Sequence, residues 1–334
     1  MGGTVDLRPP DFDSLVDAAR LLRGVAAVTP LLRSDALDAR LGASVWIKAE
    51  CLQRTGSFKF RGAWTNISRL PEDRRRRGVV AYSSGNHAQA VAAAARLQDI
   101  PATIAMPLDA PAIKRSRTES WGADVRPFDR DTVDRVGFAE ALAEDLGRPI
   151  VPPYDHPDTI AGQGTVGLEI ASQCRALGIV PDAVVVPCGG GGLIAGIATA
   201  LKTAMPGVPV HPSEPAAGND TLRSLEAGRR IALPGPVRSV CDALLAETPG
   251  ELTFEINRQV LAPGIAIEDA DAFHTMQVAF DDLKLVLEPG GAAGLAALTS
   301  GEMPCRGRTV VAVASGGNVD AEIFVRALNG PDTR

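Results

Sequence analysis

The sequence predicts an α/β fold of two lobes, with mainly parallel sheets that carry helices on both faces. Short β-rich runs alternate with longer runs rich in alanine and leucine, an order typical of parallel strands joined by helices. Several Gly-rich or polar turns stand where a strand run gives way to a helix run, which is where such folds place their sites. At 334 residues, the chain is long for one hydrophobic core, so two lobes are expected.

The individual elements follow from residue type and from the turns between them. Strands are predicted at Val45–Ala49, Val79–Tyr82, Ala102–Met106, Asp124–Phe128, Ala183–Pro187 and Thr309–Ala314, with a further candidate at 208–211. Helices are predicted at Phe12–Leu22, His87–Leu97, Ala110–Ser120, Arg135–Leu146, Ile160–Ala176, Leu193–Ala204 and Asp269–Asp282. No fixed-period repeat or low-complexity linker divides the chain, which favours two lobes built from discontinuous segments.

Composition narrows the class of protein. Hydrophobic residues make up 45% and charged residues 22%, as in ordinary soluble globular proteins. The net charge is −6 and no sustained basic stripe occurs, so nucleic acid is not an expected partner. The 5 cysteines are odd in number and form no C-x-x-C pair, which argues against a disulfide framework or a zinc ribbon. No apolar stretch reaches membrane-spanning length and the N-terminus lacks a signal core, so we expect a cytoplasmic protein without a membrane partner.

A run of four glycines is the first candidate binding loop. Gly189, Gly190, Gly191 and Gly192 follow a predicted buried strand and lead into the helix that begins at Leu193. Glycine lets the main chain approach a ligand closely, and a helix N-terminus offers N–H groups and a positive dipole end. The loop lacks both the Gly-Lys-Ser/Thr ending of a nucleotide P-loop and the spacing of a dinucleotide loop. It predicts a phosphate site of unspecified kind, with a merely tight turn as the alternative.

Lys59 is a candidate nucleophile. It lies between Phe58 and Phe60 and next but one to Arg61. Desolvation or a neighbouring cation lowers the pKa of an amine and makes it nucleophilic. On spacing alone, an ordinary surface lysine extended past two aromatic rings is the better interpretation. The lysine gains weight only in combination with the glycine loop.

A polar turn after the strand Val79–Tyr82 is the third candidate. Ser83, Ser84 and Asn86 cluster at the start of the helix predicted from His87. A helix N-terminus with side-chain donors binds a carboxylate well, and the same residues could cap the helix. Both roles can hold at once.

Three motifs together resemble the β-family, or fold type II, of pyridoxal phosphate (PLP) enzymes. They are SFKFRGA (57–63), SSGNHAQ (83–89) and GGGGLIAG (189–196), and IAGQGT (160–165), LEPGGA (287–292) and SGGNVD (315–320) agree with them. Their order and wording are similar to serine/threonine dehydratases, serine racemases and 3-hydroxyaspartate dehydratases. The resemblance implies a tryptophan synthase β-like fold with a large PLP-binding domain at 1–69 and 155–334 and a small substrate-binding domain at 70–154. It also implies a homodimer.

The resemblance implies a role for each matched residue. Lys59 would hold PLP as a Schiff base and move the substrate Cα proton, and Phe58 would pack beside the cofactor ring. Asn86 would bind the ring hydroxyl, Ser315 would meet the pyridine nitrogen and Glu288 would lie near the ring. The residues implied for the phosphate are Gly189, Gly190, Gly191, Gly192 and Leu193, and those implied for the substrate α-carboxylate are Ser83, Ser84, Asn86 and His87.

Ser315 carries the prediction of reaction type. A hydroxyl does not hold the pyridine protonated as a carboxylate would, so the ring is a weaker electron sink. A short-lived carbanion favours prompt loss of a β-hydroxyl. We therefore expect β-elimination of threonine, serine or 3-hydroxyaspartate to a 2-oxo acid and ammonia. The alternative is an amino-acid racemase in which Ser84 serves the face opposite Lys59, whereas a phosphate-binding protein without chemistry is disfavoured by Lys59 and the intact SSGNH motif.

Two further sites concern a metal ion and the substrate side chain. Glu214 and Asp220 are hard oxygen donors on a short loop, and the Gly218 carbonyl can join them, which suits Mg²⁺, Mn²⁺ or Ca²⁺ completed by water. The resemblance to serine racemases favours this ion over two solvated acids. Arg135 matches a substrate-facing arginine of some racemases and hydroxyaspartate dehydratases, and arginine can hold a second carboxylate through two hydrogen bonds. A solvated helix arginine is the alternative.

Overall fold

Two separate sheets organise the chain in the computed structural model, which describes residues 8–110, 112–129, 132–235 and 237–330. The strands are Leu31–Arg33 (β1), Ser44–Ala49 (β2), Val79–Tyr82 (β3), Ala102–Pro107 (β4), Asp124–Phe128 (β5), Ala183–Pro187 (β6), Val210–Pro215 (β7), Ile265–Ile267 (β8) and Thr309–Ala314 (β9). The large sheet has the order β1-β2-β9-β6-β7-β8 and the small sheet the order β3-β4-β5. The pairing of β1 with β2 is antiparallel, and the other pairings are parallel. The fold is therefore the predicted α/β fold with two mostly parallel sheets.

The helices lie between and around these strands. They are Phe12–Leu22 (α1), Asp35–Leu41 (α2), Lys59–Arg69 (α3), Glu72–Arg76 (α4), Asn86–Leu97 (α5), Ala112–Ser120 (α6), Arg135–Leu146 (α7), Pro157–Leu177 (α8), Gly192–Ala204 (α9), Asp220–Ala227 (α10), Glu251–Val260 (α11), Asp269–Leu283 (α12), Pro289–Thr299 (α13) and Ala321–Asn329 (α14). None of the helices in the described ranges is long and apolar enough to span a bilayer.

The centre of the large sheet is buried on both faces. Every residue of β6 is buried, as expected for a parallel strand between two helical layers. Val184 and Val186 pack with α8 and α9 on one face, whereas Val185 packs with α12 and α13 on the other. The alternating directions of side chains along a strand divide these residues between two cores.

The small sheet has its own core. The alanines of α5 pack on one face of β3 and β4, and Ala139 and Ala143 of α7 pack with Val80 on the other. Phe60 from α3 lies in the core shared with α5. All strands of the small sheet fall within 70–154, yet α3 lies before residue 70, so the domain boundary drawn there stays a prediction.

Several elements differ from the sequence-based prediction for identifiable reasons. The helix α13 was not predicted because all residues from Pro289 to Leu298 are buried, and a helix that is apolar all round shows no amphipathic pattern. The helix α8 begins at Pro157, before the predicted Ile160, because His156 caps it and a proline fits its first turn. The helix predicted from Ala110 begins at Ala112, and residue 111 lies outside the described residues.

Candidate active site

One cavity of ≈ 220 Å³ opens where the carboxyl ends of β3, β6 and β9 approach each other. Ser83 follows β3, Gly189 follows β6 and Ser315 follows β9, and all three residues line the cavity. Open parallel sheets bind ligands at this end of their strands. The cavity collects every residue predicted for the cofactor or the substrate: Phe58, Lys59, Ser83, Ser84, Asn86, His87, Arg135, Gly189, Gly190, Gly191, Gly192, Leu193, Glu288 and Ser315.

The amine of Lys59 lies inside this cavity as the first residue of α3. Its Nζ donates a hydrogen bond to the Pro153 carbonyl at 2.7 Å and lies 5.1 Å from the centre of the Phe58 ring. Burial lowers the pKa of Lys59 to about 8, although the charge of Glu288 opposes this effect. A substantial fraction of the amine is therefore neutral and nucleophilic near physiological pH.

Arg61 is not the cation that activates Lys59. Its guanidinium is buried and paired with Glu50 at 2.7 Å and with Glu169 at 2.7 Å, so its charge is compensated away from the cavity. Phe60 points into the core of the small sheet. The expectation that Phe60 desolvates Lys59 and that the charge of Arg61 lowers its pKa is therefore wrong, because α3 directs both side chains away from the cavity.

The glycine loop presents unpaired N–H groups to the cavity. Gly191 has φ +89° and precedes α9, a conformation that glycine adopts without strain. The Thr253 hydroxyl donates to the Gly190 carbonyl at 2.8 Å. Within the described ranges, the N–H groups of Gly189, Gly190 and Gly191 make no hydrogen bond. Together with the N-terminal end of α9, they offer donors suited to an anion.

A chain of amides surrounds the carboxyl group of Glu288. Asn86 Nδ2 donates to Glu288 Oε1 at 2.6 Å, and Asn318 Nδ2 donates to Asn86 Oδ1 at 2.7 Å. Burial raises the pKa of Glu288 to about 7, while the hydrogen bond from Asn86 opposes the rise. A methyl group on Gly316 would lie 2.0 Å from Glu288 Oε1. The conformation of Glu288 therefore depends on both the amides and that glycine.

The polar turn at 83–87 opens α5 towards the same cavity. Gly85 is the N-cap residue of α5, and no side chain accepts a hydrogen bond from the first N–H groups of the helix. These N–H groups are therefore left for a ligand. His87 directs Nε2 to the Val151 carbonyl at 2.8 Å, and burial lowers the pKa of His87 to about 3. The imidazole is therefore neutral and donates through Nε2, and its buried Nδ1, which has no partner among the described residues, can only accept. A contact of His87 with a carboxylate would therefore come from its main-chain N–H.

Comparison with known proteins agrees with this arrangement. A family model described as "Pyridoxal-phosphate dependent enzyme" matches residues 22–316. The chain belongs to this PLP enzyme family. It is 43% identical to an L-threo-3-hydroxyaspartate ammonia-lyase from Pseudomonas sp (96% of this chain, 98% of the relative) and 38% identical to a Saccharomyces cerevisiae protein of the same name (97% and 98%). The solved structure of maize serine racemase superposes with a TM-score of 0.90 at 34% identity, and the match covers 96% of this chain and 97% of the racemase chain.

These relatives define the chain as a fold type II PLP enzyme of the serine/threonine dehydratase and racemase group. The residues present fit the cofactor that gives the family its name. Lys59 supplies an amine with a lowered pKa, the glycine loop supplies unpaired N–H groups for a phosphate, and Ser315 places a hydroxyl in the cavity wall.

This PLP enzyme also has cavity residues that sequence reasoning missed. Tyr82, Tyr154, Lys114 and Asp242 line the cavity, and Lys114 Nζ lies 3.0 Å from the Asp242 carboxylate. Asn318 belongs to a motif that was recognised without a role for that residue. No local sequence pattern predicts a role for the two tyrosines, Lys114 or Asp242, because their positions in the cavity depend on how distant segments pack.

The predicted metal residues lie outside the cavity lining, next to the start of α10. Glu214 accepts hydrogen bonds from the N–H groups of Thr221 at 3.2 Å and Leu222 at 2.8 Å. Both carboxylate oxygens of Asp220 are buried without a hydrogen bond in the described part of the chain. Burial raises the pKa of Asp220 to about 7, and burial and the charge of Asp220 raise the pKa of Glu214 well above its usual value.

Glu214 and Asp220 are both buried, so they are not two solvated acids. No cluster of three or more Asp, Glu, His or Cys side chains suited to a metal occurs among the described residues. A cation would therefore depend on Glu214 and Asp220 together with a main-chain carbonyl such as that of Gly218, and on water.

Proposed function

We propose that this PLP enzyme catalyses β-elimination of 3-hydroxyaspartate, with loss of the β-hydroxyl and release of a 2-oxo acid and ammonia. Arg135 is the residue on which the choice of 3-hydroxyaspartate as substrate depends. It lines the cavity that holds Lys59, and its guanidinium has no hydrogen bond or ion pair within the described ranges. The two ammonia-lyases that are 43% and 38% identical to the chain support this choice. Serine and threonine lack the second carboxylate and would be poorer substrates.

The chain's own residues provide binding and proton transfer. The bound cofactor supplies an electron sink that makes loss of the substrate Cα proton feasible. Lys59 accepts that proton, and its lowered pKa suits a base at neutral pH. The N-terminus of α5, with Ser83 and Ser84, holds the α-carboxylate. The Ser315 hydroxyl at the cavity wall would leave a pyridine nitrogen without a counter-charge, which favours elimination over long-lived carbanion chemistry.

An amino-acid racemase is the second candidate because Ser84 lines the same cavity and its hydroxyl makes no hydrogen bond in the described residues. A proton donor on the face opposite Lys59 would return a proton to Cα with inverted configuration. The similarity to maize serine racemase supports this possibility.

The deciding experiment uses four substrates: L-threo- and erythro-3-hydroxyaspartate, L-serine and L-threonine. Release of 2-oxo acid is followed together with chiral analysis of the remaining amino acid. We expect the highest kcat/KM for a hydroxyaspartate, and a loss of about 10²-fold for that substrate alone in Arg135→Ala, as for an unpaired carboxylate. Inversion of configuration without 2-oxo acid would support the racemase instead.

We also propose that Mg²⁺, Mn²⁺ or Ca²⁺ binds at Glu214, Gly218 and Asp220. The buried, unpaired oxygens of Asp220 support this proposal. A cation would replace protons on the two acids and stabilise the start of α10, so its effect would be on folding rather than on the reacting atoms.

A further inference from the structure

Both tyrosines of the chain line the active-site cavity. The sequence contains 2 tyrosines, Tyr82 and Tyr154, and both share the cavity wall with Arg135. Tyr82 ends β3, Arg135 begins α7, and Tyr154 follows the proline whose carbonyl accepts the hydrogen bond from Lys59. Three distant segments therefore bring these side chains to one place.

The three side chains lie within electrostatic reach of each other. Burial raises the pKa of Tyr82, and the charge of Arg135 opposes the rise. Burial and Tyr82 raise the pKa of Tyr154, which Arg135 again opposes. The Tyr154 ring packs against Gly190, where an added methyl group would lie 2.5 Å from three ring carbons. Both phenols therefore keep their protons at neutral pH and can donate hydrogen bonds.

These donors have no acceptor among the described residues. Neither phenolic hydroxyl takes part in a hydrogen bond there, nor does the Arg135 guanidinium. Of the three acids that influence Tyr82, two are engaged elsewhere: Asp134 accepts from the Gly137 N–H at 2.7 Å, and Asp155 accepts from the N–H groups of Glu251 and Thr253 at 2.9 and 3.0 Å. The third, Glu140, is an exposed residue of α7 and makes no hydrogen bond with either phenol. One cation and two neutral donors without acceptors suit an anionic, planar ligand group.

We propose that Tyr82, Tyr154 and Arg135 form the subsite for the distal carboxylate of a dicarboxylic amino acid. Arg135 neutralises the carboxylate, and the two phenolic hydroxyls donate hydrogen bonds to its oxygens. This inference rests on the proposed function, because it assigns residues to the part of 3-hydroxyaspartate that serine lacks. The tyrosines are thus determinants of specificity that leave the α-carboxylate and the reacting carbons to other residues.

The first test removes only oxygen atoms. In Tyr82→Phe and Tyr154→Phe holoenzymes, KM for L-threo-3-hydroxyaspartate should rise about tenfold per hydroxyl, the usual effect of one hydrogen bond to a charged group. KM for L-serine should stay within about twofold, since serine has no distal carboxylate. Arg126→Met serves as a control outside the cavity, because Arg126 is an exposed arginine on the small sheet paired with Asp124. It should leave KM for both substrates unchanged.

The second test needs no turnover. Calorimetry compares succinate, a four-carbon dicarboxylate, with butyrate, which has one carboxylate, as ligands of the same holoenzymes. The wild type should prefer succinate, and each Phe variant should lose most of that preference. The subsite would be refuted if the Phe variants raised KM equally for both substrates, or if they changed neither KM nor the affinity for succinate. A wild type that releases no 2-oxo acid from any substrate refutes the proposed function, whereas the succinate comparison still decides the subsite.

Discussion

Replacement of Arg61 by methionine tests how strongly the buried ion pairs of α3 with Glu50 and Glu169 stabilise the fold. Arg61 Nε and Nη2 donate to Glu50 at 2.8 and 2.7 Å, and Nη1 donates to Glu169 at 2.7 Å. Arg61 is 1% exposed and Glu50 is 0% exposed. Arg61→Met would leave the Glu50 carboxylate buried without its main partner, which costs about 3–5 kcal/mol of folding free energy. We expect the thermal midpoint to fall by roughly 6–15 °C.

The pH dependence of this loss identifies Glu50 as its cause. In the wild type, burial raises the pKa of Glu50, but the charge and hydrogen bonds of Arg61, with the charge of Lys48 and the hydrogen bond from Thr29, together outweigh it, so the net pKa is lowered. That stabilisation is present above the unfolded-state pKa and disappears as the pH falls. Without Arg61, burial raises the pKa of Glu50, so protonation then stabilises the folded state. The deficit of Arg61→Met should therefore shrink as the pH is lowered.

Circular dichroism melting curves of the wild type, Arg61→Met and Arg61→Met/Glu50→Gln provide the assay. The double variant carries no stranded carboxylate at position 50 and should recover part of the lost stability. A loss below about 1 kcal/mol in Arg61→Met, typical of an exposed ion pair, would refute the reasoning. So would a deficit that is the same at every pH.

Three further predictions concern the cofactor and the metal. PLP binding to the apoenzyme, followed by absorbance, should speed up with pH around a midpoint near 8, since burial lowers the pKa of Lys59 to about 8 and only the neutral amine reacts; a midpoint near that of free lysine would contradict this. EDTA should lower the thermal midpoint and Mg²⁺ or Mn²⁺ should restore it, whereas Asp220→Asn should abolish the response; no response in the wild type would reject the site. Gly190→Ala should weaken PLP binding about tenfold or more, since its methyl group would meet a ring at 2.5 Å, whereas Gly235→Ala, with nothing within 4 Å, should bind PLP normally.

Much of the fold could be predicted because its central strands are buried and rich in β-branched residues. The strand Ala183–Pro187 and the glycines after it mark the transition to a helix without help from tertiary contacts. The short strands Leu31–Arg33 and Ile265–Ile267 escaped prediction, since three residues at the margin of a sheet carry little pattern. They become strands because β2 and β7 offer pairing partners.

In the candidate site too, local motifs could be predicted from the sequence and contacts between distant segments could not. Motifs read from the sequence supply residues that stand on turns after strands, and the cavity brings them together. The partners of those residues come from remote segments: Thr253 holds the glycine loop and Asn318 holds Asn86. Arg61 was misjudged because proximity in sequence does not show direction, and α3 turns its guanidinium into a buried ion-pair network.

We propose that Lys59, in the PLP site, is the base for elimination from a hydroxy-dicarboxylic amino acid. The most direct measurement incubates the wild type and Lys59→Ala holoenzymes with L-threo-3-hydroxyaspartate and quantifies oxaloacetate and ammonia. We predict equimolar oxaloacetate and ammonia from the wild type, and neither product from Lys59→Ala. Turnover retained by Lys59→Ala, or a wild type that leaves 3-hydroxyaspartate unchanged, would contradict the account.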